Sequence, residues 1–389
     1  MRYFNYLTAE EEQEIFFLPP QSITIDNQSL LEYALGATLY MPATRKTAAQ
    51  DVMDGKLRGL MSMVLCLEDA IGDNEVAWAE ELVGHDIGQL ALALSQGVIS
   101  LADIPLIFVR IRDVGQMRRI TEQLGEKVSL LTGFVFPKFT ADNGFVYFEA
   151  LAEINKHQAK PIYGMPILES PEIMYIENRH KKLLEVKNLL DSYRKLVLNV
   201  RIGATDFCGL FGLRRSPDMT IYDISIIRSC IDDILNVFTR MDSSYVVSGP
   251  VWEFYSSERV LKPLLRHGPF TDNLGQAGER MRNALLDRYM DGLIHEVVLD
   301  KANGLTGKTI IHPSHIKPVQ ALGVVTHEEY MDACSILTGS QGDVGVIPSI
   351  YANKMNEIKP HMRWAQKIMI KSKIYGVFHE QHNFTSLLT

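Results

Sequence analysis

The chain has 389 residues, 46% of them hydrophobic and 22% charged, which is the balance of an ordinary water-soluble globular protein. Lys plus Arg number 39 against 47 Asp plus Glu, a formal net charge of −8, which argues against an electrostatic nucleic-acid binder and against a surface that seeks anionic lipid. No apolar run approaches the roughly 18–20 residues that span a bilayer, and MRYFNYLTAEEEQEI at the N-terminus carries acids where a secretion signal would have its apolar core. Short apolar or β-branched runs then alternate with longer helical stretches. The predicted strands are Ala37 to Met41, Met63 to Leu67, Pro105 to Ile111, Gly133 to Lys138, Pro161 to Glu169, Val197 to Asp206, Ser244 to Gly249 and Lys308 to His312. They show little apolar/polar alternation, as strands buried on both faces do. The intervening segments are mostly long enough for the crossover helices that parallel strands require, so the series predicts an α/β fold, a (β/α)8 TIM barrel.

The boundaries expected are an N-terminal extension over 1–36, a barrel over 37–320 and a C-terminal helical lid over 321–389. In that last part 328–337 and 359–376 read as helices flanking a Gly-containing connection from Gly339 to Pro348. The gap from Pro250 to Gly307 is unusually long and reads as an elaborated loop with helical stretches at 251–266 and 277–297. The four cysteines, Cys66, Cys208, Cys230 and Cys334, lack CxxC spacing, which fits neither a zinc ribbon nor a disulfide scaffold and suits a reducing cytoplasm.

Barrel chemistry sits at the C-terminal ends of the strands. There the sequence offers Glu68 and Asp69, Arg110 and Arg112, Lys138, Glu169, Asp206 and His312. Taken singly, each has a plain structural reading. Glu68-Asp69 can cap a helix, Glu169 precedes the helix-start pattern Ser170-Pro171-Glu172, and His312-Pro313-Ser314 looks like a helix N-terminus capped by Ser314. Arg110 and Arg112 can be surface or ion-pair residues, and only one of them is expected to face the mouth. Cys208 reads as packing, since no basic pattern marks it as a nucleophile. The functional reading rests on convergence: charges gathered at one rim need partners, and a hard divalent cation, Mg²⁺ or Mn²⁺, is the simplest organiser of Glu169 and Asp206.

These residues also carry a resemblance. LYMPATR (39–45), LCLEDAI (65–71), FVRIR (108–112), FVFPKF (134–139), PILESP (166–171), RIGATDFCGLFG (201–212) and TIIHPSHIKPV (309–319) resemble, in order, motifs of the citrate lyase β-subunit group, with its malyl-CoA lyases and HpcH/HpaI-type aldolases. The resemblance implies a Mg²⁺-dependent carbon–carbon lyase acting on a small 2-oxo or hydroxy acid, free, phosphorylated or as a CoA thioester. It implies Glu169 and Asp206 as metal ligands, with Glu68 and Asp69 acting near the metal through its waters. Arg110 would hold the substrate carboxylate, while Arg45, Lys138 and His312 would line the cofactor or substrate side of the mouth. It further implies a homo-oligomer, trimer or hexamer, with the appendage packed on a neighbour.

The departures from the pattern are Cys66 for an Asp, Arg112 for an Asn, the pair Arg214-Arg215, the 250–307 insert, and Asn356-Glu357 where the family delivers a catalytic Asp. They resemble the branch of TIM-barrel lyases that accompanies tellurium-resistance and stress operons. The general base is open among Glu68, Asp69 and Glu357 of a neighbouring chain. Two alternatives stand beside the lyase: a biosynthetic aldolase whose phosphorylated sugar or nucleotide-like precursor is held by Arg214 and Arg215, and a non-catalytic barrel subunit of a complex.

Overall fold

A computed structural model of the chain describes residues 1–25, 27–241, 244–255, 288–339 and 345–388. Eight parallel strands form the centre: Ala37–Pro42, Ser62–Cys66, Leu106–Arg110, Leu131–Phe136, Tyr163–Leu168, Val200–Ile202, Val247–Ser248 and Lys308–Ile310. They pair in chain order, the last strand lies beside the first, and a parallel bridge from Gly249 to Lys308 joins the seventh to the eighth. The predicted barrel is therefore present and closed, which removes the exposed edges an open sheet would have.

The strands are buried on both faces, which is why their sequences read as apolar runs rather than alternations. Inward, Val64, Phe108, Val135, Met165 and Ile167 form one cluster with Leu31 and Leu35 from just ahead of the first strand. Outward, Met63, Leu65, Ile107, Val109 and Phe134 pack on the helices, for instance on Met117 and Ile120 of the helix Val114–Leu124. That helix begins where Asp113 accepts the Gln116 N–H at 2.8 Å, the local device that turns the chain back after the third strand.

The two ends of the chain meet. Phe16–Leu18 pairs antiparallel with Val377–Phe378, and the Phe16 and Phe378 rings stack with centroids 6.0 Å apart. The predicted C-terminal helices are His327–Thr338 and Ile358–Tyr375. Between them the expected plain connection is instead partly a hairpin, Val346–Pro348 against Met355–Glu357, with Ile347 opposite Asn356. Of the expected insert helices, 256–266 and 277–287 lie outside the described residues; Arg288–Ala302 is helical.

Two strand ends differ from expectation. The sixth strand stops at Ile202, and Asp206 sits in the first turn of the short helix Ala204–Gly209. The eighth stops at Ile310; beyond it His312, not Ser314, caps the following turn, its ring accepting the Ser314 N–H.

Candidate active site

The third strand ends by turning Arg110 inward. Its Nη2 lies 2.5 Å from Glu68 Oε2, 3.0 Å from Asp69 Oδ2 and 3.1 Å from Glu169 Oε1, so one guanidinium nitrogen gathers three carboxylates from two loops. Burial disfavours this cation, but the surrounding negative groups, Glu169 foremost, outweigh it and raise its pKa above the usual arginine value. Arg112 would share a face with Arg110 if the strand continued, but the strand ends at Arg110 and Arg112 turns away from the mouth, donating to Leu67 O at 2.7 Å and pairing with Asp73 at 2.6 Å.

Lys138 follows the fourth strand with φ at +47°, a left-handed conformation uncommon for a side-chain-bearing residue. The turn does two things. It aims the backbone N–H of Lys138 at Glu169 Oε1, 2.8 Å away, and it sends Nζ to Glu68 at 2.6 Å and Asp69 at 3.3 Å. Such strain persists where the surroundings over-determine it, characteristically at functional sites. Burial and then the adjoining Asp69 raise the Glu68 pKa; for Asp69, contacts with Glu68, Arg110 and Lys138 outweigh burial and lower it.

Glu169 is 3% exposed and does not cap the next helix, whose N-cap is Ser170. Its pKa is pushed up to about 8, first by burial and then, against the pull of Arg110, by the charge of Asp206. Gly203 makes this packing possible: a Cβ there would lie 2.1 Å from Glu169 Oε2. A cavity of about 390 Å³ opens at this point, walled by Asp69, Arg110, Glu169 and Asp206 and extending inward to Tyr40 and Arg201.

Two hard oxygen donors whose charges repel at the wall of a cavity fit Mg²⁺, which keeps several waters and takes only one or two carboxylates from a protein. Among the described residues no three His, Cys, Asp or Glu side chains are arranged around a common metal position, so a closed zinc-type centre is not what they build.

Glu68, Asp69, Arg110, Lys138, Glu169 and Asp206 thus come together, as the strand-end rule led us to expect. Arg45 and His312 do not join them. Arg45 pairs with Asp51 at 2.6 Å, and the His312 ring stacks on Tyr255 with centroids 4.3 Å apart. Glu357 is exposed at the start of the last long helix, and Asn356 is buried, donating to Asp332 at 2.8 Å. Arg214 and Arg215 do not form a phosphate clamp. Arg214 is exposed, whereas Arg215 is buried with Nη1 2.5 Å from Glu296 and Nε 3.2 Å from Glu253, its guanidinium over the Trp252 ring. Cys208 is buried and its thiol pKa is raised by burial, in keeping with packing.

Sequence reasoning missed Arg201, Tyr40 and Gly203. The available signal was a lone arginine inside the apolar run VLNVRIG, two residues before a glycine.

Comparison with known proteins gives the following. No curated protein sequence matches the chain. A citrate lyase from Burkholderia xenovorans LB400 is 16% identical, with a TM-score of 0.60, covering 91% of this chain and 96% of that one. The CitE protein of Mycobacterium tuberculosis, crystallised with magnesium, acetoacetate and coenzyme A, is 16% identical, with a TM-score of 0.51, covering 88% of this chain and 99% of that one. At such identities the likeness is one of fold. The family model for C–C bond lyases of the TIM-barrel fold matches residues 29–377. The chain therefore belongs to the C–C bond lyase family of the TIM-barrel fold, and is an enzyme of the carbon–carbon lyase class.

Proposed function

We propose that this chain makes or breaks a carbon–carbon bond in a small 2-oxo or 2-hydroxy acid, or in its activated derivative, with Mg²⁺ or Mn²⁺ held by Glu169 and Asp206. The observation that carries the reading is Glu169: a buried carboxyl at a cavity wall, raised to about 8 beside a second carboxylate. A group in that state is waiting for a cation to take the place of its proton. When bound, the ion supplies Lewis-acid polarisation of the substrate's 2-oxo or 2-hydroxy oxygen.

The chain's own residues do the rest. Arg110 is assigned to the substrate carboxylate, its position held by Glu68 and Asp69 on one side and Glu169 on the other. The Lys138 ammonium, half-exposed above Glu68 and Asp69, adds fixed positive charge where an enolate oxygen develops, and needs no reorganisation to do so. Asp69 lines the cavity and is the carboxylate best situated to take or return the proton of the bond-making carbon or hydroxyl. We assign Arg45 and His312, on the strand-end side but outside the cavity, to the activating group of the substrate; the CoA seen in the mycobacterial CitE crystal makes a thioester the first to try.

The test is a thermal-shift screen with Mg²⁺ across oxaloacetate, glyoxylate, pyruvate, CoA thioesters and sugar phosphates, followed by turnover assays on the compounds that stabilise the protein. Glu169→Ala and Asp206→Ala are expected to abolish Mg²⁺-dependent stabilisation and turnover. Either variant working at the parent level overturns the assignment.

A further inference from the structure

A second, smaller cavity of about 40 Å³ lies at the end of the barrel opposite Glu169 and Asp206. Gly36 and Gly307, which lead into the first and eighth strands, line it from the barrel. Asp300 and Lys301 line it from the helix Arg288–Ala302, and Lys371 from the last long helix, Ile358–Tyr375. Lys371 is partly exposed and its ammonium is not one of the sealed polar atoms of the fold, so a small molecule can reach it. Among the described residues none accepts a hydrogen bond from its three N–H donors.

The surroundings of Lys371 are short of negative charge. Lys367 and Arg363 stand one and two turns earlier on the same face of the helix, and Lys301 shares the cavity. The acids nearby are already engaged. Asp300 is held by Lys308 at 2.7 Å and by the Tyr222 hydroxyl at 2.6 Å, and Glu329 by Lys301 at 3.4 Å and the Thr326 N–H at 3.0 Å. Burial, then Lys301 and Lys367 against the pull of Glu329, bring Lys371 down from the ordinary 10.5 to about 8. About half of it is therefore an uncharged, nucleophilic amine at pH 8, against well under a hundredth for an ordinary lysine.

We propose that Lys371 accepts carbon dioxide and is held as an Nζ-carbamate between Lys301 and Lys367, a modification site separate from the lyase chemistry. The amine lone pair attacks the carbon of CO₂. The N–C bond forms as one C–O π pair moves onto oxygen, and a proton leaves the nitrogen for water, so nothing is oxidised or reduced. The group adds three non-hydrogen atoms, and a cavity of about 40 Å³ has room for about three water-sized ones. It also replaces a positive charge by a negative one, which gives Lys301 and Lys367 the counter-ion that the fold omits. An acetyl group would fill the same space and leave those lysines unpaired. The carbamate thus ties the last long helix to the helix Arg288–Ala302 through Lys301.

The test is incubation of the full chain with carbon-13-labelled bicarbonate at pH 8, trapping of carbamates by ethylation with a trialkyloxonium salt, and peptide mass spectrometry. Lys371 is expected to carry at least about tenfold more label than Lys373, which is exposed on the same helix. Lys301→Met should lower the labelled fraction of Lys371 at least about threefold by removing a counter-ion. Equal labelling of Lys371 and Lys373, or none at Lys371, overturns the proposal, as does an undiminished fraction in Lys301→Met. If Lys301→Met fails to fold, Lys367→Met removes the other counter-ion, and an undiminished fraction there overturns the proposal equally. Bicarbonate that raises the melting temperature without labelling Lys371 would show a plain anion pocket and overturn the carbamate assignment. None of these outcomes depends on Mg²⁺ or on the lyase reading, which its own variants at Glu169 and Asp206 test.

Discussion

The state of Glu169 predicts how Mg²⁺ affinity depends on pH. The carboxyl is 3% exposed, and burial and the charge of Asp206 raise it to about 8, although Arg110 at 3.1 Å and the Lys138 N–H at 2.8 Å favour the ionised form. A cation binds only after the proton leaves. With a value of about 8, the proton competes about tenfold at pH 7 and about a hundredfold at pH 6, so apparent affinity should rise roughly fiftyfold from pH 6 to pH 8 and level off above pH 9. Titration calorimetry in two buffers of different ionisation heat measures both the affinity and the protons released, expected near one per ion at pH 6 and near zero at pH 9. The same shift acts on stability with a definite sign. Below the ordinary value of 4.5 the carboxyl is protonated folded or unfolded; between there and about 8 only the folded state keeps its proton. The stabilisation is therefore full at low pH and lost as pH rises through about 8, unless Mg²⁺ is present to replace the proton. A Mg²⁺ affinity that is flat from pH 6 to pH 8, with no proton released, would refute the reasoning.

Gly203→Ala tests the packing beneath the pair. Its φ of −93° suits any residue, but the new Cβ would press on Glu169 Oε2 at 2.1 Å, so loss of Mg²⁺ binding is expected at a stability cost of about 1–3 kcal/mol; unchanged Mg²⁺ titration would count against Glu169 as a ligand. Arg110→Lys replaces a planar fork by a compact ammonium that cannot reach Glu68, Asp69 and Glu169 together. Affinity for pyruvate in the presence of Mg²⁺ should fall at least about thirtyfold, and parent-level binding would remove Arg110 from its role. Away from the site, Lys308→Met leaves Glu296 and Asp300, 2.9 and 2.7 Å from the lost ammonium, buried without their common cation. Urea unfolding should show a loss of about 3–5 kcal/mol, and a neutral result would mean that those acids take up protons at little cost.

The barrel was legible because its strands are buried on both faces and so appear as apolar runs at crossover spacing. Where the runs continued past the ladder, the reading went too far. Val197 to Asp206 looks like one strand, yet the ladder ends at Ile202 and the chain winds into a helix after Gly203. Nothing in the local pattern marks where a neighbouring strand stops pairing. The convergence of Glu68, Asp69, Arg110, Lys138, Glu169 and Asp206 followed from a rule about strand ends, which needs only order along the chain. Arg45 and His312 match motifs equally well, but Asp51 and Tyr255 hold them outside the cavity. The pair Arg214-Arg215 shows the same limit, since adjacent positions sent one guanidinium to solvent and the other into a buried ion-pair cluster.

The order of strands, the class of fold and the list of charged residues at the rim were thus written in the linear pattern, because burial on both faces and the strand-to-helix alternation are local properties that composition and spacing record. Which charges touch, which are left without a partner and which carboxyl keeps its proton near neutrality were decided only in three dimensions. Those outcomes depend on distances between residues tens to hundreds of positions apart, such as Arg110 with Glu169 and Arg201 with Tyr40, and on water having been excluded from around them. Electrostatic energy varies with separation and burial, and neither is a property of any residue taken alone.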